Sequence, residues 1–243
     1  GDPRPSPAPD ASLSIYDAAR SGDPVAIKAA LDAGADPNAP APSGPNSGLT
    51  PLHIAASGSL GPAIHALIVG GASSSVDARL ADGRTPLMLA AEFGRPDAIA
   101  ALASASAALD ARDTSGRTPL LYATLAGRAD NVQALLAAGA SVNAADESGR
   151  TPAAHCCSSP IDARILRILL EAGADPDTAD ATGATAIMLA AESGDADKVL
   201  LLLNAGAAAR ARSADGRTAL DRAQARNDEP GRRCAQILEQ AAQ

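Results

Sequence analysis

TPLHIAA, residues 50–56, is followed by five near-copies along this chain of 243 residues. The copies begin 35, 33, 33, 34 and 33 residues apart, and LSIYDAA (13–19) is a degenerate first copy 37 residues before Thr50. Repetition at one period of this size predicts stacked structural repeats rather than one broad core. The later copies are TPLMLAA (85–91), TPLLYAT (118–124), TPAAHCC (151–157), TAIMLAA (185–191) and TALDRAQ (218–224).

Each copy carries the signals of a helical hairpin. Thr followed by Pro is typical of a helix N-cap and first helical residue, and the paired alanines let neighbouring helices approach closely. A second apolar stretch and a hairpin follow, as in VQALLAAGASVNA (132–144) and DESG (146–149). Ser106 occupies the left-handed C-cap position in the third repeat, at an expected cost of about 1 kcal/mol. Glycine is expected in that position at Gly34, Gly71, Gly139, Gly173 and Gly206.

These segments resemble the ankyrin repeat, from about Ser12 to the C-terminus. The resemblance implies an all-α ankyrin repeat solenoid of about seven helix-turn-helix repeats with β-hairpin fingers, in which the terminal repeats act as caps. We therefore predict a flexible Pro-rich tether over residues 1–11 and one ankyrin repeat domain over 12–243. The repeats are expected near 13–49, 50–84, 85–117, 118–150, 151–184, 185–217 and 218–243.

Most departures from the repeat fall in connections, which in such arrays often lie on the binding face. The first finger, residues 40–48, is four residues longer than the finger before Thr151. Two extra residues lie in 73–75 and one in the turn 158–161.

Composition excludes several classes of function. The net charge of −8 argues against sequence-independent binding of nucleic acid, and no apolar run is long enough for direct membrane insertion. Abundant Ala, Gly, Pro and Arg indicate a bacterial origin. The Pro-rich tether and the missing initiator Met favour a periplasmic or secreted protein, with the cytoplasm as the alternative.

His155, Cys156 and Cys157 are the strongest candidates for chemistry. A reactive thiol needs a base beside it, but consecutive helical residues point in different directions, and Cys156 and Cys157 occupy the paired-alanine position. We therefore interpret these cysteines as small buried residues, and His53 as a structural residue of its repeat. The sequence predicts no catalytic residue, no metal ligand and no cofactor, and an enzyme using the thiols remains a third alternative.

The resemblance implies that partner recognition lies on the fingers and at the ends of the first helices. Phe93 is the only Phe of the chain and is expected to face solvent, which makes it the leading candidate for a binding hot spot. An arginine precedes Thr in four repeats, and these arginines either lie over the next finger or bind carboxylates of a partner. The predicted partner-binding residues are Arg84, Glu92, Phe93, Arg117, Leu125, Glu147, Ser148, Arg150 and Arg217.

We therefore expect a monomeric protein that binds another protein. Family analogy and the tether favour an inhibitor or immunity protein that blocks a bacterial enzyme or toxin. A secreted effector that docks on a host protein is the alternative.

Overall fold

A computed structural model describes residues 14–42, 47–58 and 60–241. The predicted tether (1–11) and part of the long first finger (43–46) lie outside the described residues. The described residues form fourteen α-helices, one 3₁₀ turn (Ala72–Ser75) and no strand. The helices are α1 (Ile15–Ser21), α2 (Pro24–Asp32), α3 (Pro51–Ser57), α4 (Gly61–Val69), α5 (Pro86–Phe93), α6 (Pro96–Ser104), α7 (Pro119–Leu125), α8 (Ala129–Ala138), α9 (Pro152–Ser158), α10 (Ala163–Glu171), α11 (Ala186–Ser193), α12 (Ala196–Asn204), α13 (Ala219–Gln224) and α14 (Glu229–Ala241).

The chain forms two compact units. The first comprises Gly1–Ala81 and Thr85–Ala107, and the second comprises Asp82–Arg84 and Ala108–Gln243. Within the first unit, α1, α3 and α5 pack in one row, which we call inner helices, and α2, α4 and α6 pack in a second row of outer helices. Within the second unit, α7, α9, α11 and α13 form one row of inner helices, and α8, α10, α12 and α14 form the outer row. The interpretation of 12–243 as one domain stays a prediction.

The repeated Thr begins the inner helices as the sequence predicts. Its hydroxyl accepts a hydrogen bond from the backbone N–H three residues later at Thr50, Thr85, Thr118, Thr151 and Thr218. Thr185 begins α11 with the same extended backbone, but its hydroxyl makes no such bond. These caps satisfy donors that would otherwise be left unpaired at each helix start.

The core consists of small and branched side chains arranged in thin layers. The alanine pairs Ala55–Ala56, Ala90–Ala91 and Ala190–Ala191 are fully buried, and each layer adds leucines such as Leu52 and Leu120. Helices joined through alanine approach closely, so the layers exclude water without large rings. The scarcity of aromatic residues is therefore a property of the stacking and not a defect of the core.

The fingers of the second unit are tight turns bonded to one another edge to edge. The Asp113 N–H donates to the Arg117 carbonyl, and the same closing bond recurs in the next three fingers. Backbone bonds of 2.9–3.2 Å then join successive fingers. Their donor N–H groups belong to Thr114, Glu147, Ala181 and Ala214, and the acceptor carbonyls to Asp82, Ser115, Ser148 and Thr182. The side chains on these fingers are thus held at fixed spacing.

The expected left-handed C-caps are all present. Gly34, Gly71, Gly139, Gly173 and Gly206 have φ between 87° and 102°. Ser106 adopts the same left-handed region with φ 64°, as the sequence predicts. A side chain in this conformation meets its own backbone, which glycine avoids.

We expect Ser106→Gly to raise the free energy of unfolding by about 1 kcal/mol, because glycine removes the left-handed strain. Urea denaturation followed by circular dichroism measures the change. Ser104, the last residue of α6, provides the control: Ser104→Gly should lower the stability by about 0.5 to 1 kcal/mol. Equal destabilisation by both substitutions would contradict the strain at Ser106.

Candidate functional site

Aspartates at the base of the fingers bind side chains of the inner helices in the second unit. The Tyr122 hydroxyl of α7 donates to Asp113 Oδ2 at 2.7 Å. His155 Nε2 of α9 lies 2.8 Å from Asp146 Oδ2. Tyr122 and His155 both stand four residues after the capping Thr, so the repeat brings each beneath its own finger. Leu189 takes this place in α11, and Asp180 there has no inner-helix partner of this kind.

Hydrogen bonds hold the carboxylates of Asp146 and Asp180 in their charged form. Burial alone would raise the pKa of Asp146, but bonds from Ser148, His155 and the Arg150 N–H outweigh it and leave the pKa below its usual value. The pKa of Asp180 is likewise lowered, because bonds from Thr182, Ala184 and Arg150 exceed the effect of burial. Burial and the bond to Asp113 raise the pKa of Tyr122, so the phenol stays protonated.

The predicted arginines differ in what they bind; we call Arg84, Arg117, Arg150 and Arg217 the arginine row. Arg84 Nε lies 2.6 Å from Asp82 Oδ2 in its own finger. Arg150 Nε reaches the next finger and lies 3.2 Å from Asp180 Oδ2. Arg217 Nε lies 3.6 Å from Asp215 Oδ2, and both side chains are largely exposed. Within the part of the chain that the structure describes, the guanidinium of Arg117 makes no hydrogen bond or ion pair.

The two predicted fingertip residues also differ. The Ser148 hydroxyl donates to Asp146 Oδ1 at 2.6 Å, so this side chain helps to close its own turn. Glu147 is exposed, and its Cγ lies over Gly116 of the preceding finger. Both residues are exposed, and Glu147 carries the charged side chain of the pair.

The remaining predicted residues end inner helices. Phe93 is the last residue of α5 in the first unit and is 49% exposed, which agrees with the expectation that it faces solvent. Glu92 beside it is half-buried. Leu125 ends α7 in the second unit and is also half-buried. Their role in binding stays a prediction.

The family model described as ankyrin repeats (3 copies) matches four overlapping stretches, 15–113, 57–146, 101–180 and 155–240. The chain belongs to the ankyrin repeat family. The all-α fold is confirmed by its similarity to the solved ankyrin repeat domain of Bcl-3, a unique member of the IkappaB protein family. That similarity has a TM-score of 0.80 and 27% sequence identity, and covers 95% of this chain and 99% of that one.

A second relative of this ankyrin repeat protein is the human neurogenic locus notch homolog protein 4. The two are 39% identical over 88 residues, which is 36% of this chain. The match spans 4% of the notch protein, so this chain corresponds to a small part of that relative's length. Ankyrin repeat domains are in general protein-protein interaction modules without enzymatic activity. The predicted bacterial origin, compartment and monomeric state of this ankyrin repeat protein stay predictions.

The thiols of this ankyrin repeat protein are buried, as predicted. Burial raises the pKa of Cys156 to about 12 and outweighs the nearby Lys198 ammonium, which lowers it. The pKa of Cys157 is raised by the same cause. Because the thiolate is the nucleophile, these groups are poorly suited to attack a substrate. His155 binds Asp146, and the described residues contain no cluster of three or more His, Cys, Asp and Glu arranged to hold a metal ion.

Lys198 is a buried cation that the sequence interpretation missed. It lies in the first turn of α12 and is only 3% exposed. Its Nζ is 2.9 Å from Asp195 Oδ2 and 3.2 Å from the Ser159 carbonyl oxygen. Ser159 belongs to the turn 158–161, which is one residue longer than in other repeats. The longer turn and the buried lysine are both departures from the repeat, and they are in contact here. A cavity of about 620 Å³ adjoins them.

No helix among the described residues is both long and apolar enough to cross a membrane.

Proposed function

We propose that this ankyrin repeat protein acts as a monomeric, non-enzymatic module that binds another protein through its finger residues and the ends of its inner helices. The observation that carries the proposal is Phe93, the only Phe of the chain, which leaves half of its surface in water at the end of α5. An exposed ring does not gain the favourable free energy of removing apolar surface from water. A partner that covers the ring would gain this free energy on binding.

The fingers of the second unit support the same proposal. Their backbone bonds fix charged side chains at the spacing of the repeat, so little conformational entropy is lost when a partner binds them. The candidate residues there are Arg84, Arg117, Leu125, Glu147, Ser148, Arg150 and Arg217, together with Glu92 and Phe93 in the first unit.

Phe93→Ala should weaken binding of the partner by about 1 kcal/mol or more, because an aromatic anchor that the partner would cover is lost. Wild-type and variant proteins are immobilised, and the proteins retained from a lysate of the source cells are quantified by mass spectrometry. Proteins retained by the wild type should be depleted on Phe93→Ala.

Val69→Ala provides the matched control, since Val69 is an apolar side chain that is 75% exposed at the end of the outer helix α4. The control should retain the same proteins as the wild type. Loss of stability in Phe93→Ala with unchanged retention would show that Phe93 is a packing residue and would contradict its role in binding.

In its narrower form the proposal is inhibitory: the partner is a bacterial enzyme or toxin whose activity the ankyrin repeat protein blocks. Family analogy and the Pro-rich N-terminal stretch support this form. Purification with the product of the neighbouring gene, followed by an activity assay of that product, tests it. Absence of both association and inhibition would reject the inhibitory form.

A further inference from the structure

Each arginine of the arginine row has two positions nearby where a carboxylate of the protein could accept from its guanidinium. One is the residue two positions before it in the same finger, which is Asp82 for Arg84 and Asp215 for Arg217. The other is the carboxylate of the following finger, which is Asp180 for Arg150. An arginine with either acceptor is neutralised within the protein. Arg117 makes neither contact, and the reason lies in the residues around it.

In its own finger, the Arg117 guanidinium forms no ion pair with a carboxylate. The residue two positions before it is Ser115 instead of Asp. Both oxygens of Asp113 in the same finger already have donors: its Oδ1 accepts from the N–H groups of Ser115 and Arg117, both at 2.8 Å. Its Oδ2 accepts from the Tyr122 hydroxyl.

In the following finger, His155 binds Asp146, whose carboxylate would be the acceptor for Arg117. Asp146 corresponds there to the Asp180 that Arg150 reaches, but Asp146 Oδ2 lies 2.8 Å from His155 Nε2. One repeat later the place of His155 is taken by Leu189, which cannot form a hydrogen bond, and Asp180 Oδ2 is left for Arg150. The residue four positions after the capping Thr therefore decides whether the preceding arginine can pair with the carboxylate of the following finger.

We propose that Arg117 is the docking point for a carboxylate of the partner, so that the partner presents an Asp or Glu side chain at this finger. This inference rests on the proposed function and specifies the chemical group that the partner presents. The guanidinium offers a planar fork of donors that matches a carboxylate. Exposed Glu147 on the next fingertip adds negative charge nearby, which favours a monoanionic carboxylate over a dianionic phosphate.

A peptide titration tests the assignment. The probe is a capped eight-residue peptide that alternates glutamate and alanine, and the readout is the Nε–Hε signal of Arg117 in nuclear magnetic resonance spectra of the whole chain. We expect a saturable shift of this signal, and Arg117→Gln should weaken peptide binding about tenfold. Arg164→Gln should change it less than twofold, because Arg164 is an exposed arginine of α10 whose Nη2 lies 3.3 Å from Asp130 Oδ1.

Three outcomes would overturn the assignment. One is an Arg117 signal that does not move. Another is equal weakening by the two Gln variants, which would indicate unspecific attraction of charge. The third is a peptide with phosphoserine in place of glutamate that binds more than tenfold tighter, since the site would then prefer phosphate. A peptide with lysine in place of glutamate is the negative control and should leave the Arg117 signal unmoved.

Two substitutions at His155 test the mechanism without altering Arg117. His155→Leu reproduces Leu189, releases Asp146 Oδ2 for Arg117 and should weaken the glutamate peptide about tenfold. His155→Tyr reproduces the Tyr122 arrangement, keeps Asp146 occupied and should change the binding less than twofold. Wild-type binding by a folded His155→Leu variant would overturn the inference. Loss of partner retention on Phe93→Ala together with a negative peptide result would leave the proposed function standing and reject the role of Arg117.

Discussion

Gly183→Ala is expected to lower the free energy of unfolding by about 3 kcal/mol. Gly183 lies in a fingertip with φ 75°, a conformation that costs about 1 to 2 kcal/mol for any residue with a Cβ. In addition, a Cβ at this position would lie 2.8 Å from the Ala214 nitrogen of the next finger. That contact is with backbone, so it cannot be relieved by rotating a side chain. The fingers would have to separate, and the bond from Ala214 N–H to the Thr182 carbonyl would be strained.

Gly216→Ala separates the steric contribution from the backbone strain. Gly216 occupies the equivalent place in the next finger with φ 79°, and a Cβ there would meet nothing within 4 Å. This variant should lower the free energy of unfolding by only the 1 to 2 kcal/mol that the left-handed conformation costs. The measured loss should agree with that range to within about 0.5 kcal/mol. Urea denaturation of both variants gives the difference. Equal losses would mean that the contact between fingers contributes nothing to stability.

Much of the fold follows from local signals in the sequence. The period of the TPLHIAA copies predicts the number of layers, and the repeated Thr predicts where six of the inner helices begin. The left-handed conformation of Ser106 is predicted because its place in the repeat matches that of Gly139 and Gly173. Each of these features depends on residues within one repeat, and six comparable copies supply the comparison.

The pairing of the arginines could not be predicted in the same way. Arg84, Arg117 and Arg150 occupy the same place in the sequence, yet one binds its own finger, one is unpaired and one binds the next finger. The pair within one finger depends on Asp82, since Ser115 and Ser148 stand at that place before Arg117 and Arg150. The contact with the next finger depends on the inner helix, which carries His155 after Arg117 and Leu189 after Arg150. This dependence can be recognised only from the folded structure, in which the inner helix passes beneath the finger.

The buried Lys198 left a signal that was visible in the sequence. Lys is rare in this chain, with Lys28 and Lys198 as its two examples, and Lys198 stands directly before the apolar run 199–203. The extra residue in the turn 158–161 was also visible. Their connection was not, because Ser159 and Lys198 are 39 residues apart and meet only after the repeats stack.

Asp195→Ala is the second substitution with a large expected effect, and we expect it to lower the free energy of unfolding by about 3 to 4 kcal/mol. Asp195 pairs with the ammonium of Lys198 through Oδ2, and its Oδ1 caps α12 by accepting from the Lys198 N–H at 3.1 Å. Its removal leaves a buried cation with the Ser159 carbonyl as its remaining acceptor. Burying an uncompensated charge is costly, whereas losing a helix cap alone costs about 1 kcal/mol.

Asp195→Asn isolates the contribution of the charge, because Asn remains a good N-cap but cannot neutralise the ammonium. Lys198→Met replaces the cation with an apolar side chain of similar length and should change stability by less than about 1 kcal/mol. In the double variant, Asp195→Asn should then cost little, because no buried cation is left to compensate. A double-mutant cycle from urea denaturation measures this coupling. Additive effects of the two substitutions would mean that water in the adjoining cavity solvates Lys198 well enough to make Asp195 dispensable as its partner.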